Sequence, residues 1–207
     1  MTEPVRLYCD DHMLVAEKPA DLLSVPGRLP EHKDCLISRL QALYPDALTV
    51  HRLDMATSGL MVFARGAAAQ RELSKAFAER RVEKRYVAVV AGQVTEDGEV
   101  DLPLIADWPN RPRQMVDHEA GKPSLTRYRI LSREADTTRL ELEPVTGRSH
   151  QLRVHMMAIG HPILGDVFYA PPDVQALSPR LLLHAQDLVL PHPLTGETLR
   201  FHSQAEF

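Results

Sequence analysis

Residues 51–64 read HRLDMATSGLMVFA, and this stretch decides the fold that the sequence predicts. The apolar run at residues 60–64 is typical of a buried β-strand, and residues 48–54 predict a second strand before it. Between them, MATSG ends at Gly59 and predicts a tight turn. Short turns between strands indicate an antiparallel arrangement at this point of the chain.

Strands outnumber helices along the rest of the sequence. Strands are predicted at residues 12–16, 85–91, 125–131, 138–143, 181–190 and 198–202. Helices are predicted after a cap at Asp34, over residues 67–79, and from a cap at Ser149 to Gly160. Residues 101–114, DLPLIADWPNRPRQ, hold three prolines and predict an irregular excursion. We therefore expect one α+β domain over residues 1–207, with a mixed, largely antiparallel sheet flanked by helices and loops.

The composition is that of an ordinary globular protein. The chain has 207 residues, of which 44% are hydrophobic and 25% charged. Only two cysteines are present, which argues against a disulfide framework or a four-cysteine zinc site and suits a reducing compartment. No apolar run approaches the roughly 20 residues of a membrane span, and no signal peptide is recognisable. We expect a cytoplasmic protein without membrane contact.

The net charge of −4 does not indicate a nucleic-acid-binding protein, and the distribution of charge along the chain is more informative. Residues 65–86 contain seven basic and three acidic side chains, a balance of +4. Such a basic segment is what binding to phosphates requires. A solvated helix face with mixed charges explains the same pattern.

The motif HRLD offers the first candidate for chemistry. In a strand, Arg52 and Asp54 would project to the same side, with His51 on the other. A carboxylate at a strand end beside a glycine-containing turn is well placed to reach a substrate. A surface Arg–Asp pair at a β-turn is the alternative explanation.

A second candidate is GRSHQLRVH at residues 147–155. Arg148 lies beside a predicted helix N-terminus, an electropositive position that favours an anion, and it could hold Asp54 in a bidentate pair. His150 and His155 are five residues apart, whereas metal-binding histidines on a helix are typically four apart. We expect no metal.

A third candidate is Lys84-Arg85-Tyr86 at the start of a strand. The two cations suit phosphate contacts, and the tyrosine ring can stack on a base. A core tyrosine flanked by surface cations is the alternative. The glycine-rich phosphate loop, the G-x-S-x-G elbow and H-E-x-x-H are all absent from the sequence.

Taken together, these motifs resemble the RluA-type pseudouridine synthases. The matching segments run through most of the chain and are EKPADLLSVPGR, HRLDMATSGL, KRYVAVVAG, GKPSLTRYRIL, GRSHQLRVHMMAIGHPILGD and LLLHA. The likeness is greatest to the branch that modifies both 23S rRNA and tRNA. As in that branch, we expect no S4-like domain before the catalytic domain.

The resemblance implies a role for each candidate residue. Asp54 matches the essential aspartate, Tyr86 the tyrosine that packs against the target base, and Arg148 the arginine that pairs with the aspartate. Arg52 matches the residue that enters the RNA stack when the base leaves it. The remaining assignments are phosphate contacts for Lys84, Arg85, Arg111 and Arg113, and a substrate pocket that includes His51 and Leu183.

The implied reaction converts uridine to pseudouridine in a stem-loop of 23S rRNA and in the tRNA anticodon stem-loop. It involves no redox change and no net hydrolysis, so we expect neither cofactor nor metal, and a monomer acting on RNA. Asp54 would attack C1′ or abstract the C2′ proton, and the sequence leaves both routes open. Two other function classes remain at this point: an RNA-binding module without chemistry, and a metal-dependent hydrolase.

Overall fold

The computed structural model describes residues 5–27, 29 and 32–207. Within these residues, the chain forms twelve β-strands and four α-helices. In chain order they are β1 (Val5–Cys9), β2 (Met13–Lys18), α1 (Leu36–Gln41), β3 (Ala47–Thr49), β4 (Ser58–Arg65), α2 (Gly66–Ala78), β5 (Glu83–Ala91), β6 (Gly98–Asp101), β7 (Leu104–Ala106), β8 (Gln114–Val116), β9 (Leu125–Arg133), β10 (Thr137–Pro144), α3 (Gln151–Ala158), α4 (Pro172–Gln175), β11 (Leu183–Pro191) and β12 (Thr198–His202).

The chain divides into two compact units. Unit 1 comprises Met1–Lys84 and Ala185–Glu206, and unit 2 comprises Arg85–His184 together with Phe207. The boundary falls inside β5 and again inside β11, so the backbone passes between the units within these two strands. None of the described helices combines the length and the apolar character needed to cross a membrane.

Unit 1 is built around β4. Strand β2 pairs antiparallel with both β1 and β4, while β3 pairs with β4 and β12 with β11, again antiparallel. The residues of β4 are buried from its start to Ala64, as expected for a central strand. Helix α2 turns Ala69, Leu73 and Ala76 into the same core, because their spacing of four and three residues places them on one helix face. The predicted helix over residues 67–79 is confirmed.

Unit 2 contains an antiparallel ladder in the order β5, β10, β9 and β6. The predicted pair of strands at residues 125–131 and 138–143 is confirmed, because β9 and β10 form a hairpin. Helix α3 contacts β8, β9 and β10. Its residues from Gln151 to Met156 are all buried, including the charged Arg153. The antiparallel pairings in both units agree with the predicted α+β class.

Two predicted helix caps are wrong. Helix α1 begins after Cys35 rather than Asp34, since the Asp34 carboxylate accepts two hydrogen bonds from Arg39 at 2.8 and 2.6 Å. Helix α3 begins after His150 rather than Ser149. His150 has a φ of 53°, in the left-handed region that non-glycine residues rarely adopt. Both helices thus start one residue later than predicted.

The excursion predicted at residues 101–114 is more regular than expected. Strands β7 and β8 pair antiparallel, with Ala106 opposite Gln114. The backbone N–H of Asp107 then donates to the carbonyl of Arg113 at 3.0 Å, which closes the loop between the strands. The prolines lie in the loop and before β7, where they remove no hydrogen bond from the ladder.

Candidate active site

The segment that carries Asp54 is not the strand that the sequence predicts. Strand β3 ends at Thr49, and residues 51–54 are irregular. The reason is that a side chain forms hydrogen bonds with the backbone N–H and carbonyl groups that would otherwise pair with a neighbouring strand. The Ser24 hydroxyl accepts the N–H of Leu53 at 3.0 Å and donates to its carbonyl oxygen at 2.7 Å. The alternation predicted for His51 to Asp54 therefore does not apply.

The chain turns immediately after Asp54. The N–H of Thr57 donates to the Asp54 carbonyl at 3.2 Å, which closes the turn. The ammonium group of Lys18 donates to the carbonyl of Met55 at 2.8 Å, although Lys18 is completely buried. It also donates to the carbonyls of Pro19 and Leu22, at 2.8 and 2.7 Å. The half-buried Asp54 is thus fixed by bonds to the residues on both sides of it.

His51 is held by the fold of unit 1. Its Nε2 atom accepts the N–H of Val62 in β4 at 3.0 Å, and its ring stacks on Phe77 at 4.7 Å. Burial, together with the nearby charge of Lys84, lowers the pKa of His51 to about 3. The ring is therefore neutral near pH 7 and serves as a hydrogen-bond acceptor. Its predicted place in a substrate pocket stays a prediction.

The basic segment at residues 65–86 is partly neutralised. Arg65 pairs with Asp46 at 3.1 Å, and Arg81 and Lys75 pair with Glu79 at 2.8 and 4.0 Å. These three cations, of the seven in this segment, are thus paired, which supports the alternative of a surface with mixed charges.

The cations predicted to meet RNA differ in their exposure. Arg52 is exposed. Lys84 is only partly exposed, and burial lowers its pKa. Arg85 is exposed, with a guanidinium nitrogen 3.9 Å from the carboxylate of Glu141. Arg52 and Arg85 are thus better placed than Lys84 for a phosphate contact.

Tyr86 and Leu183 both lie on strands of unit 2. Tyr86 is half-buried in β5, opposite the fully buried Leu142 of β10. Leu183, 3% exposed, is the first residue of β11. Its neighbour Leu182 accepts the N–H of Val89 in β5 at 3.1 Å. Both residues are therefore set on regular backbone.

Arg148 lies in the tight segment before α3, as predicted, and is exposed. Its N–H donates to Oε1 of Gln151 at 3.1 Å, and its Nε donates to the carbonyl of Pro123 at 3.3 Å. Gln151 also accepts the Thr146 hydroxyl at 2.7 Å. The buried Gln151 amide oxygen therefore holds the backbone N–H of Arg148 and the Thr146 side chain together.

The structure contains a buried ion pair, between Arg153 and Asp166, that the sequence does not predict. The guanidinium of Arg153 donates to both carboxylate oxygens of Asp166, at 2.8 and 2.7 Å, with 3% and 1% of the side chains exposed. The same carboxylate accepts the N–H groups of Phe168 and Tyr169. Both partners belong to GRSHQLRVHMMAIGHPILGD, but only the fold shows that they meet.

The two histidines of this motif have separate partners. Nδ1 of His150 is 2.6 Å from the hydroxyl of Tyr169. His155 is bonded to the Thr126 hydroxyl and the Leu102 carbonyl, and burial lowers its pKa. In the part of the chain that the structure describes, no group of three His, Cys, Asp or Glu side chains could hold a metal ion.

The predicted site residues divide between the two units. Unit 1 contains His51, Arg52, Asp54 and Lys84, and unit 2 contains Tyr86, Arg85, Arg111, Arg113, Arg148 and Leu183. Asp54 and Arg148 therefore belong to different units, and their ion pair stays a prediction.

Comparison with known proteins identifies the family of this chain. The model of the RNA pseudouridylate synthase family matches residues 12–158. The chain belongs to this family. It is 57% identical over 205 residues to the Dual-specificity RNA pseudouridine synthase RluA of Escherichia coli (strain K12), which covers 98% of this chain and 94% of that protein. The protein of the same name from Yersinia pestis is 55% identical over 203 residues, or 97% of this chain and 98% of that protein.

Solved structures of the RNA pseudouridylate synthase family share the fold. Human RNA Pseudouridylate Synthase Domain Containing 1 superposes with a TM-score of 0.81 at 28% identity, over 97% of this chain and 83% of that one. Human RNA Pseudouridylate Synthase Domain Containing 4 gives 0.79 at 26% identity, over 97% and 88%. The chain is an RNA pseudouridine synthase, an isomerase that acts on RNA. The alternatives of a binding module or a metal-dependent hydrolase are thereby set aside.

Proposed function

We propose that this RNA pseudouridine synthase modifies two RNAs, a stem-loop of 23S rRNA and the anticodon stem-loop of tRNA. The observation that carries the proposal is the 57% identity, over 98% of the chain, to a protein named for dual specificity. Two RNAs that share a short loop sequence and a similar fold can both fill one active-site groove. Loop bases also require less free energy to flip out, because they are already partly unstacked.

The reaction detaches the uracil from its ribose and rejoins it through a different atom, while the uracil stays bound to the enzyme. The N1–C1′ bond breaks, the uracil rotates, the C5–C1′ bond forms, the proton on C5 is released, and N1 takes up a proton. In the proposal, Asp54 displaces N1 from C1′ and is later displaced by C5, or it removes the C2′ proton and returns it when C5 bonds to C1′. The bonds around Leu53, Met55 and Thr57 support this role, because they hold the carboxylate on rigid backbone.

Arg148 and Tyr86 are proposed to act on the same uridine as Asp54. Arg148 keeps the carboxylate ionised through a bidentate contact, and Tyr86 stacks against the detached uracil. Asp54 belongs to unit 1, and Arg148 and Tyr86 belong to unit 2. The support for placing the three residues at one uridine therefore comes from the family motifs. Leu183 supplies an apolar wall that excludes water while the glycosidic bond is open.

The target uridine leaves its stack before the reaction, at a cost of a few kcal/mol. We propose that Arg52 fills the vacated position, and that Arg85, Arg111 and Arg113 contact phosphates. The exposure of Arg52 and of these arginines supports such contacts. Lys84 contributes a weaker contact, because it is partly buried. The enzyme works as a monomer in the cytoplasm, without cofactor or metal.

The test compares three RNAs in single-turnover reactions: a synthetic anticodon stem-loop, full-length tRNA and naked 23S rRNA. We expect the stem-loop to react nearly as fast as tRNA, and the rRNA to react as well. A stem-loop with cytidine at the target position is the matched control and should stay unmodified. Modification of full-length tRNA alone, or of an assembled ribosomal particle alone, would contradict the account of two compact hairpins.

A further inference from the structure

The loop between β7 and β8 in unit 2 has a defined shape. The N–H of Asn110 donates to the carbonyl of Asp107 at 3.0 Å, and the N–H of Arg113 donates to the carbonyl of Asn110 at 3.1 Å. The Asn110 amide also donates to both oxygens of the Asp107 carboxylate, at 3.2 and 3.0 Å. Together with the closing bond from Asp107 to Arg113, these contacts make the loop a firm support for its side chains.

This loop carries Trp108, which is 67% exposed. The guanidinium carbon of Arg111 lies 3.9 Å from the centre of the indole ring, and Nε of Arg111 donates to the Trp108 carbonyl at 3.2 Å. The cation therefore covers the ring and fixes its orientation. The fold does not use this large aromatic surface for its own core.

The hairpin is anchored to the segment that carries Arg148. The N–H of Gln114, at the start of β8, donates to the hydroxyl of Tyr169 at 2.8 Å. The same hydroxyl is 2.6 Å from Nδ1 of His150, two residues after Arg148. Within unit 2, the hairpin and the proposed catalytic arginine thus share one anchoring side chain. A group held by the loop stays at a set distance from Arg148.

The charges around the ring suit a nucleic acid. Arg111 and Arg113 are exposed, whereas the only acidic side chain of the loop, Asp107, has its carboxylate engaged by Asn110. A planar aromatic ring beside cations is the surface on which single-stranded bases stack while phosphates meet the charges. A protein partner would instead favour a continuous apolar patch around the ring.

We propose that Trp108, held by Arg111, stacks on an unpaired base of the RNA substrate and so positions the stem-loop for base flipping. This inference rests on the stem-loop substrate proposed above and adds a specific contact to it. It also gives Arg111 a second role, since the cation over one face of the ring holds the ring in place for stacking.

The test uses the intrinsic fluorescence of the protein, because Trp108 is the sole tryptophan of the chain. Titration with the anticodon stem-loop should quench this fluorescence, and a fully paired RNA hairpin stem of equal length should quench it much less. Trp108→Ala should raise the Kd for the stem-loop between about 5-fold and 150-fold, the range expected for one base stack. Trp108→Phe, which keeps a smaller ring, should recover part of the loss.

Leu194→Ala is the matched control, because Leu194 is a 68% exposed apolar residue outside this loop. It should bind and react like the wild type. Equal quenching by paired and looped RNA, or an unchanged Kd in Trp108→Ala, would overturn the stacking proposal while the two-substrate proposal stands. Failure of the wild type to modify either RNA would instead contradict the proposed function.

Discussion

A single buried cation stabilises the backbone next to the proposed catalytic aspartate. Lys18 lies in EKPADLLSVPGR, one of the motifs behind the family resemblance, yet its role is visible only in three dimensions. Its ammonium group reaches the carbonyl of Met55, 37 residues along the chain. A buried lysine is costly unless its donors are satisfied, so the bonds explain why it is tolerated.

Lys18→Met keeps the length of the side chain and removes the donors. The carbonyls of Pro19, Leu22 and Met55 would lose the hydrogen bonds it gives them, and the free energy of unfolding should fall by at least about 2 kcal/mol. Denaturant unfolding measures this, and turnover should fall as well because Met55 adjoins Asp54.

Lys33→Met is the matched control for this prediction. Lys33 is exposed and donates one bond, to the Gly27 carbonyl at 3.0 Å. Its loss should change stability by no more than about 0.5 kcal/mol. Equal midpoints for the two variants would show that the Lys18 contacts do not support the turn.

The site residues that the sequence could suggest are those that sit in local motifs. Asp54 and Arg148 were suggested by their neighbours at a turn and before a helix. Arg153 and Asp166 could not be paired from sequence, because 13 residues and a turn separate them. Trp108 could not be predicted as a site residue, because an isolated tryptophan in a proline-rich segment has no periodic pattern to interpret.

At the scale of the elements, the close approach of β4 and β11 within unit 1 depends on one glycine. Gly59 has a φ of 114°, and a Cβ placed there would lie 2.3 Å from the carbonyl oxygen of Ala185 and 2.5 Å from its nitrogen. Both obstacles are backbone atoms, which cannot rotate away. The glycine that closes the MATSG turn is therefore needed for strand packing as well as for the turn.

Gly59→Ala should destabilise the protein by more than about 3 kcal/mol, because the two strands must separate. Gly66→Ala is the control, since Gly66 also has a positive φ, 78°, but no atom within 4 Å of the added Cβ. That variant should lose only about 1–2 kcal/mol, the cost of the left-handed backbone. Thermal unfolding compares them, and similar losses would mean that the contact with Ala185 relaxes easily.

Most strands and the long helix were predictable because their hydrophobic periodicity matches their burial. The errors occurred where tertiary hydrogen bonds outweighed the local pattern. Ser24 took the backbone groups of Leu53 and ended a predicted strand early. Arg39 took the Asp34 carboxylate, which could then not cap α1. Ser24 lies 29 residues before Leu53, and the contact of Asp34 with Arg39 depends on the orientation of both side chains, so neither hydrogen bond could be inferred from the local pattern.

For the whole molecule, acid should weaken the fold through His51 and Asp10. The pKa of His51 is lowered to about 3 in the folded state. Between about pH 6.5 and 3, the unfolded chain therefore binds a proton at this residue that the folded chain does not bind. Stability is then complete above about pH 6.5 and falls as the pH drops toward 3. Burial alone would raise the pKa of Asp10, but hydrogen bonds from Tyr8, from the His12 and Met13 N–H groups and from His192 lower it.

Stability from Asp10 is therefore present above about pH 4 and is lost below it, so the two histidines whose pKa burial lowers, His51 and His155, dominate between pH 6 and 4. We expect His51 to contribute a loss of up to about 1.4 kcal/mol per pH unit in this interval. His51→Gln, which does not titrate, should make this dependence less steep. Identical pH profiles for the wild type and His51→Gln would contradict the assignment.

The central claim, that Asp54 carries out the isomerisation, is tested by tritium release from stem-loop RNA labelled at uracil C5, measured under single-turnover conditions. The account predicts that Asp54→Asn releases no tritium while its Kd for the stem-loop stays within about tenfold of the wild type. Asp11→Asn, at an exposed aspartate of the same unit, should release tritium at the wild-type rate. Release by Asp54→Asn near the wild-type rate would contradict the claim.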